Sequence, residues 1–331
     1  MKLSDVTEIV SPGVLPFNGE RPYVATGEMD AAGNYSFTFV DYNGRPSRAN
    51  QAAKAGDVLF ARMANTIKVC HVTEKENQVI FSTGFCVLRP DKNELDSRYL
   101  YHYLRSSYFQ RKKDKFCTGA TQKAITNEKL DKIGIPLSGD TTEQRRIATI
   151  LDKADTIRSK RQESIRLTDE FLRATFLDIF GDPVTNPKRW DKVPIRELGT
   201  IMTGNTPSRE NPDYYGDGIE WIKSDNINTP YHYLTRAKET LSAEGRKVGR
   251  VAPENSVLVT CIAGSPECIG NAALTDRPVA FNQQINAITS FDHVDPFFLY
   301  VQILVTKKLI QQQSTESMKG MVNKGKFEKI S

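Results

Sequence analysis

Short apolar runs separated by turn residues dominate the first 90 residues. Pro22–Glu28 (PYVATGE), Tyr35–Val40, Asp57–Met63, Lys68–Thr73 and Val79–Pro90 read as strands, and Asn43-Gly44 and Pro46 as turns. The period then lengthens. Tyr101, Leu104 and Tyr108 predict one face of a helix around Arg98–Gln110. A longer helical pattern follows, with Ile147, Ile150, Ala154, Ile157, Ser164 or Ile165, Thr168, Phe171 and Thr175 at spacings of three and four, interrupted at Arg161. Thr141 or Thr142 is the expected N-cap, and Gly181-Asp182-Pro183 stops the helix after Phe180. At 1.5 Å per residue it would be roughly 55 Å long. A stripe this narrow suits an antiparallel coiled-coil spacer better than a helix lying on its own domain. Ile147, Ile150, Ala154, Ile157, Ile165 and Phe171 are its predicted interface.

The strand-rich pattern then returns. GDVLFARMANT (Gly56–Thr66), STGFCVLRPDKNELDSRYLYHYLRSS (Ser82–Ser107) and TGATQKAITNEKLDKI (Thr118–Ile133) are echoed by Asn255–Ser265, Phe281–Lys308 and Ser314–Ile330. Val58-Leu59 matches Val257-Leu258, Leu100-Tyr101 matches Leu299-Tyr300, and Tyr23-Val24-Ala25-Thr26 matches Trp221-Ile222-Lys223-Ser224. The offset of roughly 197–199 residues is far longer than a solenoid repeat of about 20–50, so a whole domain is duplicated. The expected fold class is α+β: two similar mixed α/β domains, residues 1–140 and 186–331, joined by a long coiled-coil spacer helix within 141–185. Two like domains along one chain suggest one activity performed twice on an extended ligand.

Composition narrows this only a little. A length of 331 residues suits two or three domains, and a net charge of +5 argues weakly for an anionic partner. The opening MKLSDVTEIV lacks the apolar run of a signal peptide, and no stretch approaches a membrane span. Five scattered cysteines without a CxxC suggest core residues in a reducing cytoplasm. The four histidines show no metal-ligand spacing, and neither GxSxG nor GxxxxGK[ST] occurs. NPDYY (Asn211–Tyr215) lacks the second proline of the methyltransferase NPPY motif. Glu220 and Lys223 are spaced wrongly for a metal-dependent nuclease. Both strings read as loops and turns, so no catalytic residue and no metal ligand is expected.

Binding chemistry is better represented. Several loops mix small, amide and basic residues, the types that bridge guanine or adenine edges and hold phosphates. In the first domain the candidates are Arg45, Arg48, Asn50 and Gln51, then Arg62 and Asn65, then Thr121, Gln122 and Lys123. In the second they are Asn205, Ser208 and Arg209, then Lys223, Ser224 and Asn226, then Ser317 and Lys319. RSSYFQRKKDK (Arg105–Lys115) adds a basic helix end. Similar chemistry at equivalent points of two repeats favours DNA.

The arrangement resembles the specificity (S) subunit of type I restriction–modification enzymes over essentially the whole chain. The residues that carry the resemblance are TGATQKAITNEKLDKIGIPL running into EQRRIATILDKAD, TGNTPSRENPDYYGDGIEWIKSDNI, and the returning NKGKFEKI. It implies that each repeat is a target recognition domain reading one half of an interrupted site on double-stranded DNA. It implies that the helix docks methyltransferase (M) subunits, with a restriction (R) motor nuclease in the full complex. S-adenosylmethionine, ATP and Mg²⁺ would belong to those partners and none to this chain, which is expected to direct DNA methylation without catalysing it. Family members usually carry a second long helix after the second domain. Here Ile330-Ser331 stands where the first copy continues into its helix, so the spacer is expected to seek a partner, with a second S chain among the candidates. Two other readings compete: an interaction scaffold with paired domains that does not read DNA, and a self-contained DNA-modifying enzyme, which the missing motifs disfavour.

Overall fold

The computed structural model describes residues 1–11, 13–119, 122–137, 139–315 and 320–331. Contacts divide the chain into two compact units, Met1–Lys160 and Arg161–Ser331. The division falls inside the long helix, so each half of that helix belongs with the unit on which it packs.

The first unit contains strands β1 (Thr7–Val10), β2 (Glu20–Val24), β3 (Thr38–Asp41), β4 (Ala49–Ala52), β5 (Val58–Ala61), β6 (Val69–His71), β7 (Ile80–Ser82) and β8 (Phe85–Pro90). Its helices are α1 (Leu3–Val6), α2 (Ser97–Arg105), α3 (Ser107–Phe116), α4 (Asn127–Leu130) and the first half of α5 (Thr141–Phe180). The strands form two sheets, in the orders β1-β8-β5-β6 and β3-β2-β7-β4. β5 and β8 are apolar without alternation because both of their faces are covered. Val58, Phe60, Cys86 and Leu88 pack with Leu100, Leu104 and Phe109 of the helices. Leu59, Ala61, Phe85 and Val87 pack with Val24 and Phe81 of the other sheet.

The second unit repeats this plan. Its strands are β9 (Gly199–Thr203), β10 (Tyr215–Ile222), β11 (Thr240–Leu241), β12 (Val251–Ala252), β13 (Val257–Thr260), β14 (Ile262–Ala263), β15 (Ala272–Leu274), β16 (Val279–Phe281), β17 (Ile285–Ser290) and β18 (Gly320–Met321). Its helices are α6 (Ser224–Ile227), α7 (Ala243–Val248), α8 (Pro296–Val305), α9 (Lys307–Gln312) and α10 (Lys324–Phe327). The sheet orders β9-β17-β13-β15 and β11-β10-β16-β12 mirror those of the first unit. The register agrees as well. Val58 faces Leu88 as Val257 faces Ile288, and the parallel pair Val24–Phe81 recurs as Ile222–Phe281. The bridge Met63–Ala124 recurs as Ile262–Met321.

Several elements differ from the sequence expectation. Val79–Pro90 is two strands, because the chain turns at Thr83-Gly84; a Cβ on Gly84 would meet Thr26 Oγ1 at 2.5 Å. The helix expected over Arg98–Gln110 breaks at Ser106, which is extended (φ −63°, ψ 146°) and whose hydroxyl caps α3 by accepting from Phe109 N. The break resets the helical phase, so the buried face is Leu100, Tyr103 and Leu104, while Tyr108 is exposed. α5 has the expected bounds, but Asp140 caps it, its Oδ1 accepting from Thr142 N at 3.0 Å and Glu143 N at 2.9 Å. Among the described residues, no helix is long and apolar enough to cross a membrane.

Candidate nucleic-acid interface

In the first unit the segment following β5 meets the chain near Ala124. Ala64 N donates to Lys123 O at 2.9 Å, and the Gln122 amide lies 2.7 Å from Met63 Sδ. Asn65 stands in the left-handed region (φ 55°), where asparagine is among the tolerated residues, and its N–H donates to Asp114 Oδ1 at 3.0 Å. Lys113, completely buried, donates from Nζ to Thr66 O at 2.6 Å. Burial lowers the pKa of Lys113 against the pull of Asp114. Asn65, Gln122 and Lys123 thus share one exposed loop cluster, and α3 braces it from below. Arg62 lies beside them, half-buried, with Nη1 3.3 Å from Ile125 O. The bracing pair Lys113–Asp114 escaped the sequence reading, which took this stretch as a basic helix end. Arg105 in the same stretch is also engaged, 2.5 Å from Asp155.

Arg45, Arg48, Asn50 and Gln51 do not form a second exposed cluster. Arg45 folds over the Tyr42 ring at 4.0 Å and donates to the carbonyls of Ala49 and Tyr42. Asn50 and Gln51 lie in β4 rather than in a loop. Asn50 Oδ1 accepts from Val14 N at 3.1 Å, and Gln51, buried, donates to Val10 O at 2.6 Å. The two amides fasten the end of β1 and the segment after it to β4. Arg48 alone of the four projects as an exposed cation.

The second unit gathers its candidates around two aromatic rings. Trp221 Nε1 donates to Asn205 O at 3.2 Å, and Tyr215 OH donates to Pro207 O at 2.6 Å, which fixes the loop carrying Ser208 and Arg209. The Arg209 guanidinium lies 4.1 Å from the Tyr215 ring centre and 5.1 Å from that of Trp221, and Lys223 Nζ is 5.0 Å from the Trp221 ring. Glu239 joins the two cations, 3.0 Å from Arg209 and 2.5 Å from Lys223. Hydrogen bonds from Arg209 and then Lys223 push its carboxyl down to about 2. Ser224 is half-buried with its hydroxyl 3.5 Å from Gln284 Oε1. Glu239 was missed because only the pairing of β10 with β11 brings it beside residues some 16–30 positions away.

Asn205 and Asn226 serve the fold. Asn205 spans Val248 O (2.9 Å) and Arg250 N (2.8 Å). Asn226 is buried, accepts from Lys223 N and donates to Thr235 Oγ1 and Arg236 O. Asn226→Ala is therefore expected to destabilise the second unit by about 2 kcal/mol, since three part-buried hydrogen bonds of this one side chain are lost together. Urea unfolding of the full chain measures this, and an unchanged midpoint would refute the structural role. Thr121, Ser317 and Lys319 lie outside the described residues.

α5 shows two faces. In the first unit Gln144 bridges Glu94 O and Asp96 N at 3.0 and 2.9 Å, Ala148 is buried, and Asp152 takes Arg98 and His102. In the second unit Asp169 meets His232 at 3.0 Å, and Phe176 packs on Phe298 at 5.5 Å. The other face holds Ile150, Ile157 and Phe171, which are 54%, 68% and 72% exposed. Ala154 is exposed too, while Ile147 and Ile165 are half-buried. Each half of the helix thus packs on its own unit and leaves apolar side chains open to solvent, Ile150 and Ile157 in the first and Phe171 in the second.

A family model described as the type I restriction modification DNA specificity domain matches residues 1–168 and 187–331. The type I restriction enzyme HindI specificity subunit of Haemophilus influenzae is 31% identical over 149 residues, 44% of this chain and 31% of that protein. The MjaIX specificity subunit of Methanocaldococcus jannaschii is 32% identical over 117 residues, 34% of this chain and 26% of that protein. The matches thus span about a third or less of these relatives. The crystal structure of the type I S subunit from M. genitalium aligns over 100% of this chain and 82% of its own, with TM-score 0.56 and 15% identity. A chain from a structure of assembly and conformational transition in a type I system aligns over 100% and 84%, with TM-score 0.51 and 20% identity. At such identities the likeness establishes the fold: two β-rich domains separated along the chain by a long helix.

Proposed function

Because the chain belongs to the type I restriction–modification DNA specificity family, we propose that it is the sequence-reading subunit of such an enzyme. Each unit reads one half of an interrupted site on double-stranded DNA. The open stripe of α5 docks methyltransferase subunits, or the equivalent helix of a second copy. The restriction motor nuclease joins through that assembly in the cytoplasm. S-adenosylmethionine, ATP and Mg²⁺ act on those partners, and this chain contributes recognition alone.

One observation carries the reading. Both units present cationic and other polar side chains on loops braced by the same two-sheet plan, the amides and lysine of Asn65, Gln122 and Lys123 in one and the hydroxyl and cations of Ser208, Arg209 and Lys223 in the other. Such groups position phosphates and read base edges. A paired scaffold that ignores DNA has no need of them.

The test is a salt titration of the full chain on duplex DNA. Affinity should fall steeply as salt rises, because neutralised phosphates release counterions. Lys123→Ala should weaken binding to every sequence and reduce the slope by about one unit, as a phosphate contact does. Binding that ignores both salt and this substitution would favour the scaffold.

A further inference from the structure

Glu239 is an anion placed between two cations on a surface expected to meet a polyanion. Among the described residues the two cations have no separate ion-pair partners: Arg209 and Lys223 both end on this one carboxylate. All three side chains are partly exposed, with 52%, 39% and 37% of the side chain accessible for Arg209, Lys223 and Glu239. The cluster is rigid in part, because Arg209 lies against Tyr215 and Trp221, and Trp221 N donates to Glu239 O at 3.0 Å. The carboxylate therefore occupies the position on these donors that a DNA phosphate would otherwise take.

The first unit lacks this device at the equivalent point. Tyr23 of β2 stands opposite Thr38, as Trp221 stands opposite Glu239, and Ala25 replaces Lys223. The fold of the recognition unit thus does not require a carboxylate here.

We propose that Glu239 is a specificity-determining residue of the second domain, which withholds Arg209 and Lys223 from indiscriminate phosphate contact. The proposal rests on the reading of the chain as a DNA-recognition subunit. With Glu239 ionised the three groups sum to one positive charge instead of two, so an arriving phosphate is attracted less and meets the carboxylate's like charge at close range. A base edge carries no such charge. It can take hydrogen bonds from the guanidinium, and the carboxylate can accept from a cytosine amino group. The same cluster therefore disfavours arbitrary backbone and tolerates the cognate bases.

The experiment compares the full chain with its Glu239→Gln variant on random-sequence duplex, titrated with salt. The amide keeps the shape and removes the charge. Binding of random duplex should tighten by about fivefold near 0.15 M salt, and the slope should steepen by about 0.9, one more phosphate neutralised. Adding Arg209→Ala and Lys223→Ala should cancel the gain. Selection of bound duplexes from a random pool should show blurred preference in one half of the site and an unchanged other half. Equal affinity and slope for Glu239→Gln and the parent, with the parent itself salt-dependent, would overturn the proposal alone. A parent chain whose DNA binding shows no salt dependence would overturn the recognition reading and this proposal with it.

Discussion

Replacing Ile150 and Ile157 together with glutamate is expected to abolish assembly through α5 and leave both units folded. The two side chains are 54% and 68% exposed, so the fold loses little when they change. Glutamate is a good helix former, and exposed substitutions usually stay within about 0.5 kcal/mol. In a complex the same positions would lie in an apolar seam, one helical repeat apart with Ala154 between them. Two carboxylates buried there without partners cost several kcal/mol, and about 3 kcal/mol already lowers affinity by more than a hundredfold. Sedimentation of the chain with methyltransferase subunits, and DNA methylation by the mixture, would both report the loss. The packed face of α5 supplies the contrast, since Ala148→Glu should unfold the first unit instead. Assembly and methylation that survive the double change would place the partner elsewhere and leave the stripe as ordinary surface.

Arg89→Ala should be the most destabilising single change among the polar contacts of the first unit. Asp57 is 1% exposed and receives Arg89 Nε and Nη2, both at 2.8 Å, as well as Lys54 N at 2.9 Å. Removing the guanidinium strands a buried carboxylate, for which about 3–5 kcal/mol is typical. The lower end applies here, about 3 kcal/mol, because the Arg89 side chain is 35% exposed and partly screened. The duplication provides its own control. At the matching positions, just before β13 and within β17, the second unit has Ser256 and Thr289, whose hydroxyls meet at 3.0 Å. Asp57→Ser combined with Arg89→Thr should therefore recover most of the stability, because the pair is replaced as a unit rather than halved. Urea melts of the two variants decide the matter: equal losses in both would show that the ion pair does not carry the effect.

The sequence by itself determined the duplication, the α+β class and the bounds of α5. The duplication rests on strings that return in order at a fixed offset, and the class and the helix rest on local periodicity with its cap and stop residues. Continuous apolar runs marked β5 and β8 because both faces of those strands are covered, and the three-to-four spacing recurred on either side of Arg161 because one side of a helix repeats at that interval. Tertiary structure decided what periodicity cannot encode. The phase break at Ser106 depends on which turn the chain prefers at that point, and the cap at Asp140 on which of several capping residues reaches the free amides. Gln51 and Asn226 carry amides as suited to bases as any, and only their partners, Val10 O for one and the Lys223–Arg236 segment for the other, assign them to the fold. Glu239 lies 30 residues from Arg209, and Asp114 lies 49 from Asn65. Hydrogen bonds and ion pairs act over about 3 Å, so which of many polar residues meet depends on strand pairing and helix docking, and those are properties of the whole fold.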